Sequence, residues 1–123
     1  MLVIGQIMVK YFGELYEFFG KKIEAKKRSM RLEREVKRWV KKDKIKAINV
    51  YIEEIKSTKD NGLGANYLSR AIELCFEIGR YDLVVGYAKQ GIKMYSSIGL
   101  RDHFETRKRK AEPKLKEKTK RER

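Results

Sequence analysis

Cysteine, histidine and proline each occur once in this chain of 123 residues. A single cysteine, Cys75, excludes an internal structural disulfide and fits an intracellular, cytoplasmic protein. With His103 as the only histidine, the usual nitrogen and sulfur ligands cannot gather into a metal cluster, and no metal or other cofactor is expected. No long apolar run is present. MLVIGQIMV is too short to cross a bilayer and Lys10, Glu14 and Glu17 interrupt its extension, so a membrane partner is not expected. The positive start and small-residue cleavage site of a secretory signal are missing as well. Strand-like alternation is absent, and the lone Pro113 leaves everything before it free to be helical. With only three asparagines and two glutamines beside abundant lysine and glutamate, the composition points to a heat-adapted, archaeal source.

What is present is helical periodicity. In Asn66 to Tyr95, Leu68, Ala71, Ile72, Cys75 and Phe76 form one apolar stripe, and Val84, Ala88, Ile92 and Tyr95, flanked by Tyr87 and Gly91, form a second. Between them, Gly79 suits the left-handed residue that ends a helix, and Asp82 suits the cap that starts the next. The link is short, so the two helices are expected to lie antiparallel. Upstream, Ile45, Ile48, Ile52 and Ile55 suit a core helix. The loop Lys59 to Gly64, with its Asn61-Gly62 step, reads as a turn. Near the start, Ile4, Ile7, Met8, Tyr11, Phe12, Leu15 and Phe19 fall on what is expected to be the buried face of a first helix. Tyr16 and Phe18 lie off its centre, towards a partner.

The run Phe76 to Val85 with Gly91 resembles the inter-helix turn and second helix of a tetratricopeptide repeat. Gly79 and Tyr81 match its turn, and Gly91 matches a small position where alanine is usual. Val84 stands where that family has a small residue, and Leu68 stands where a tryptophan or another large residue is common. A fainter resemblance covers Asp43 to Ile55, where Ala47 and Ile48 take the places of Val84 and Val85. The implied fold is all-α, with stacked antiparallel hairpins and about five helices. The expected limits are one domain over 1–112 and a basic, disordered tail over 113–123. The resemblance also implies a groove lined by first-helix residues, here Asn66, Ser69, Arg70, Glu73 and Glu77.

The net charge of +14 is unevenly placed. Lys21 to Lys46 carries +9 and Arg107 to Arg123 carries +7, while the remaining segments are nearly neutral. Lys27, Arg31, Arg34, Arg38 and Lys41 project along one helix face, opposite Leu32, Val36, Trp39 and Val40. With Arg107, Lys108, Arg109 and Lys110 they are the candidates to contact phosphates of DNA or RNA. Solvation of a charged face, eased by pairing of Glu33 with Lys37 and of Glu35 with Arg38, accounts for the ridge equally well. Cys75 reads as a packing residue, His103 as a surface or capping one, and the carboxylates Glu73 and Glu77 lack convergent partners for acid-base work. The expected role is non-enzymatic: a module binding a protein partner or its own copies, since two hairpin units leave uncovered ends. The alternative is a basic helical protein that binds nucleic acid through the ridge and the tail.

Overall fold

A computed structural model describes residues 2–122, with side chains for residues 13–97 and 99–121. Five helices follow one another: α1 (Leu2–Lys42), α2 (Lys44–Ser57), α3 (Asn61–Glu77), α4 (Tyr81–Met94) and α5 (Ile98–Glu122). The fold is all-α, and no strand occurs among the described residues. Two compact units divide the chain, Met1–Arg34 and Glu35–Arg123. The boundary falls inside the stretch expected as one domain, and the second unit takes in the residues beyond Pro113.

The first unit is helix throughout its described length. Of its expected buried face, the side chains of Ile4, Ile7, Met8, Tyr11 and Phe12 lie outside the described residues. Leu15 is half-buried, but Phe19 is exposed, alongside Tyr16 and Phe18. Leu32 is buried.

In the second unit each helix packs on the next, α2 on α3, α3 on α4 and α4 on α5, and α3 also touches α5. Local chemistry sets the boundaries. Asp43 caps α2, its carboxylate accepting from the amides of Ile45 and Lys46 at 3.1 and 3.3 Å. Asp60 does the same for α3 by accepting from Leu63 N–H at 3.0 Å. That cap turns Asn61 to Gly64 into the first turn of α3, where the Asn-Gly step suggests a loop. Gly64 is buried there beneath the Tyr95 hydroxyl, at a distance that leaves no room for a β-carbon.

The turn from α3 to α4 follows the glycine argument. Gly79 has φ +72°, its N–H donates to Phe76 C=O at 3.1 Å, and Arg80 N–H donates to Cys75 C=O at 2.9 Å. This paired pattern is a Schellman motif, which satisfies carbonyls that the helix end leaves open. Asp82, expected as the cap of α4, sits inside its first turn instead. The capping position is Arg80, which makes no side-chain cap. Its guanidinium holds both Asp82 carboxylate oxygens at 3.0 Å, and this bond first of all keeps the Asp82 carboxyl below its ordinary range.

The core of the second unit is drawn from α2 to α5, with Val36 from the end of α1. Leu68, Ala71, Ile72 and Cys75 of α3 and Val84 and Ala88 of α4 are essentially inaccessible, as their spacing predicts. Ile92 and Tyr87 are half-buried. α3 also buries Ala65, Tyr67 and Leu74, because it packs on three neighbours rather than one. In α2 the buried set is Ala47, Ile48, Tyr51 and Ile55, while Ile45 is exposed. Tyr51 displaces the expected isoleucine face by stacking on Tyr67, ring centroids 5.9 Å apart. α5 contributes Phe104 and Ala111, both fully buried. The Phe104 ring stacks on Tyr95 at 6.0 Å and lies directly over Gly91.

α5 departs most from the sequence reading. Instead of giving way to a disordered tail at Pro113, it runs through the proline to Glu122. Leu115 is half-buried, Lys114 lies 5.5 Å from the Tyr81 ring centroid and Lys118 Nζ donates to Gly79 C=O at 3.2 Å. These contacts tie the helix beyond the proline to the α3–α4 turn.

Candidate functional site

Helical spacing puts Asn66, Ser69, Arg70, Glu73 and Glu77 along the outward side of α3, but they do not share one environment. Asn66 and Arg70 are exposed. Glu77 pairs with Lys44 at 3.3 Å. Ser69 and Glu73 meet α5: the Ser69 hydroxyl lies 2.8 Å from His103 Nε2, and an Arg107 NH2 donates to Glu73 at 3.0 Å. Part of the row is therefore engaged by the chain's own last helix.

His103 is held in a small polar chain. Arg107 Nε donates to His103 Nε2 at 3.0 Å, so that nitrogen accepts and the ring is neutral in this arrangement. Burial first, and the Arg107 charge second, hold the imidazolium below its usual range, with Glu73 opposing them. The unfolded chain thus takes up the proton first on acidification. The contribution of His103 to stability is present above about pH 6.5, the ordinary histidine value, and is lost as the pH falls below it. An NMR titration of the ring should give a midpoint below that of a free histidine, and Arg107→Met should move it upwards. A midpoint above the ordinary value would contradict this arrangement.

The candidate cations separate. Lys27, Arg31 and Arg34 belong to the first unit and are exposed, and Arg38 and Lys41 are exposed in the second. Trp39 is half-buried, with Lys46 Nζ 4.5 Å and the Arg38 guanidinium 5.7 Å from its ring centroid. On α5, consecutive residues point in different directions because each step turns the helix by about 100°. Arg107 reaches Glu73, Lys108 pairs with Glu112 at 3.6 Å, and Arg109 Nε turns back to Glu105 C=O at 3.4 Å. Only Arg107 and Lys110 of these four open onto a common concavity.

That concavity lies in the second unit, along α5. A groove of about 610 Å³ is lined by Phe76, His103, Thr106, Arg107, Lys110 and Lys114 together with Gly99 and Asp102. A second, of about 410 Å³, is lined by Gly79, Tyr81, Lys114, Glu117, Lys118 and Arg121. Lys114 lines both, so the two grooves neighbour each other along α5 as a furrow in two parts. Its cations Arg107, Lys110, Lys114, Lys118 and Arg121 follow steps of three and four, which places them on one side of the helix. Spacing alone reveals the row, but it continues beyond Pro113 into residues expected to be disordered. The opposite flank carries the compensated charges, Arg101 with Glu105 at 3.2 Å and Lys108 with Glu112.

Cys75 is buried in the α3 stripe, and burial first, with the Asp82 charge adding, pushes its thiol up to about 12, so it is protonated and unreactive at neutral pH. Among the described residues no group of three potential metal ligands forms, and no helix is long and apolar enough to cross a membrane. No protein-family model, no curated protein and no solved structure matches the chain.

Proposed function

We propose that the protein is a non-enzymatic assembly module, in which a helical-hairpin unit of tetratricopeptide-like character accompanies a helical unit that joins copies of the chain. The carrying observation is the first unit's exposed apolar seam. Tyr16, Phe19, Ile23 and Met30 are 84%, 56%, 55% and 48% exposed. Tyr16, Ile23 and Met30 follow at seven-residue intervals and Phe19 falls three after Tyr16, which is the spacing of a coiled-coil seam. Charge favours an antiparallel second copy. Glu14 and Glu17 precede the seam's centre, and Lys26, Lys27 and Arg28 follow it, so opposite directions place acid against base while parallel register places base against base.

The hairpin character rests on two features of α3 and α4. Gly79 adopts the left-handed turn, and Gly91 supplies a small surface on which the neighbouring helix seats Phe104. Sedimentation velocity at high protein concentration tests the assembly. The unmodified chain should sediment as a dimer or larger species, and Phe19→Glu with Ile23→Glu should sediment as a monomer with unchanged helical circular dichroism. A monomeric unmodified chain, or a double variant that still associates, would sink the proposal.

A further inference from the structure

From the furrow along α5 we infer a binding site for single-stranded nucleic acid, distinct from the 27–41 ridge and independent of self-association. Three observations meet there. The first is charge: among the described residues no carboxylate pairs with Lys110, Lys114, Lys118 or Arg121, and Glu117 is the only other ionised group of the second groove. Cations in a row on one helix side can displace the condensed counterions of a phosphate backbone. At 1.5 Å per residue, the stretch from Arg107 to Arg121 spans about 21 Å, long enough to follow several linked phosphates rather than one anion.

The second observation is aromatic. Phe76 lines the first groove and Tyr81 the second, both half-buried, with ring centroids 6.1 Å apart at an interplanar angle of 66°. Lys114 stands beside the Tyr81 ring. A cationic wall facing aromatic rings across a furrow is the arrangement that binds unpaired strands, whose bases stack on the rings while the backbone follows the charges. In a duplex the bases are already stacked inside and cannot use Phe76 or Tyr81.

The third observation is placement. Glu105 and Glu112 of the same helix are paired on the other flank, and the two carboxylates that line the furrow, Asp102 and Glu117, are outnumbered there by Arg107, Lys110, Lys114, Lys118 and Arg121, so the field of α5 is asymmetric and the furrow side is the positive one. Arg107 is the exception: Glu73 already holds it, and it serves as the furrow's end rather than as a phosphate ligand. A solvated helix face would account for the cations, but it would not place an aromatic ring in each of the two grooves beside them.

The test measures fluorescence anisotropy of labelled single-stranded DNA and RNA and of duplex DNA of equal length, at several salt concentrations. The strands should bind more tightly than the duplex, with log affinity falling against log salt at a slope of about −2 to −3, as three to four phosphate contacts on a single strand require. Lys110→Glu with Lys114→Glu should weaken strand binding at least about tenfold in low salt. Lys116→Glu with Lys120→Glu, the same charge change outside the furrow, should weaken it far less. Tyr81→Leu should cost the strand about fivefold or more and leave the duplex unaffected, because it removes a stacking surface. Circular dichroism and melting establish that each variant is folded. In the unmodified chain, strand-induced amide shifts in NMR should gather on residues 76–82 and 99–121, which keeps the site testable should a variant fail to fold. No binding in low salt overturns the inference. So does duplex binding as tight as strand binding, equal loss in both lysine pairs, or amide shifts centred on 27–41.

Discussion

Phe104→Ala is expected to destabilise the second unit by about 3–5 kcal/mol, the cost of truncating a fully buried phenylalanine. Whole domains are stable by only about 5–15 kcal/mol, so the loss takes a large share of what holds α5 to α4. The reason lies in the ring's two contacts: it stacks on Tyr95, and it fills the space directly above Gly91. Gly91 carries the reciprocal expectation. A β-carbon there would stand 2.6 to 2.7 Å from three Phe104 ring atoms, far inside van der Waals contact. Gly91→Ala gains about 1 kcal/mol of helix propensity but incurs about 1–3 kcal/mol of overpacking, so the net change should be destabilising. With Phe104 already alanine the obstruction is gone, and Gly91→Ala should become neutral or stabilising. Urea denaturation of the two single variants and the double variant reads this coupling. Additive losses, or a Phe104→Ala cost below about 1 kcal/mol, would contradict the packing described.

Pro113→Ala should stabilise the chain, by up to about 3 kcal/mol. Proline in a helix interior lacks the N–H that would donate to the carbonyl four residues back, here Arg109, and its ring crowds that carbonyl. α5 nevertheless continues for nine residues past it, from Lys114 to Glu122. The opposing contributions are visible: Ala111 buried before the proline, Leu115 half-buried after it, Lys114 beside Tyr81 and Lys118 on Gly79. Alanine removes the penalty and keeps these contacts. Hydrogen exchange should slow across residues 113–122, and the urea midpoint should rise. An unchanged or lower midpoint would show that α5 beyond Pro113 does not fold together with the rest of the unit.

The α3–α4 hairpin was the most legible part of the fold because local rules agree there. An apolar stripe on each helix and one glycine able to take a positive φ point to the same turn. Reading failed where two local signals competed. Asn61-Gly62 is a good turn step, but Asp60 in front of it is a better helix cap, and the cap prevails because it satisfies an amide that the helix would leave open. Asp82 has the chemistry of a cap, yet the guanidinium two residues before it offers a stronger partner. Tertiary packing decided the other departures. Tyr51 turns α2 towards Tyr67, a contact that isoleucine spacing cannot reveal.

The candidate site was legible in kind and not in place. Basic density marked α5, but a run of neighbouring cations such as Arg107 to Arg109 faces several directions once it is helical. The spacing of the row is in the sequence, but Lys114, Lys118 and Arg121 share a helix face with Lys110 only because α5 passes Pro113. The turn role of Tyr81 is legible in the sequence, whereas its contact with Lys114 depends on that same continuation.

The burial of Cys75 has a practical consequence. Its thiol is inaccessible and protonated at neutral pH, and it is the only one in the chain. Maleimide or spin-label reagents should therefore leave the folded protein unmodified. A cysteine engineered at an exposed position such as Tyr16 or Lys110 would become the single point of attachment, with no need to remove the native residue. Interspin distances between copies labelled at residue 16 would then report whether two α1 helices run in opposite directions. A label at residue 110 would sense a strand lying in the furrow.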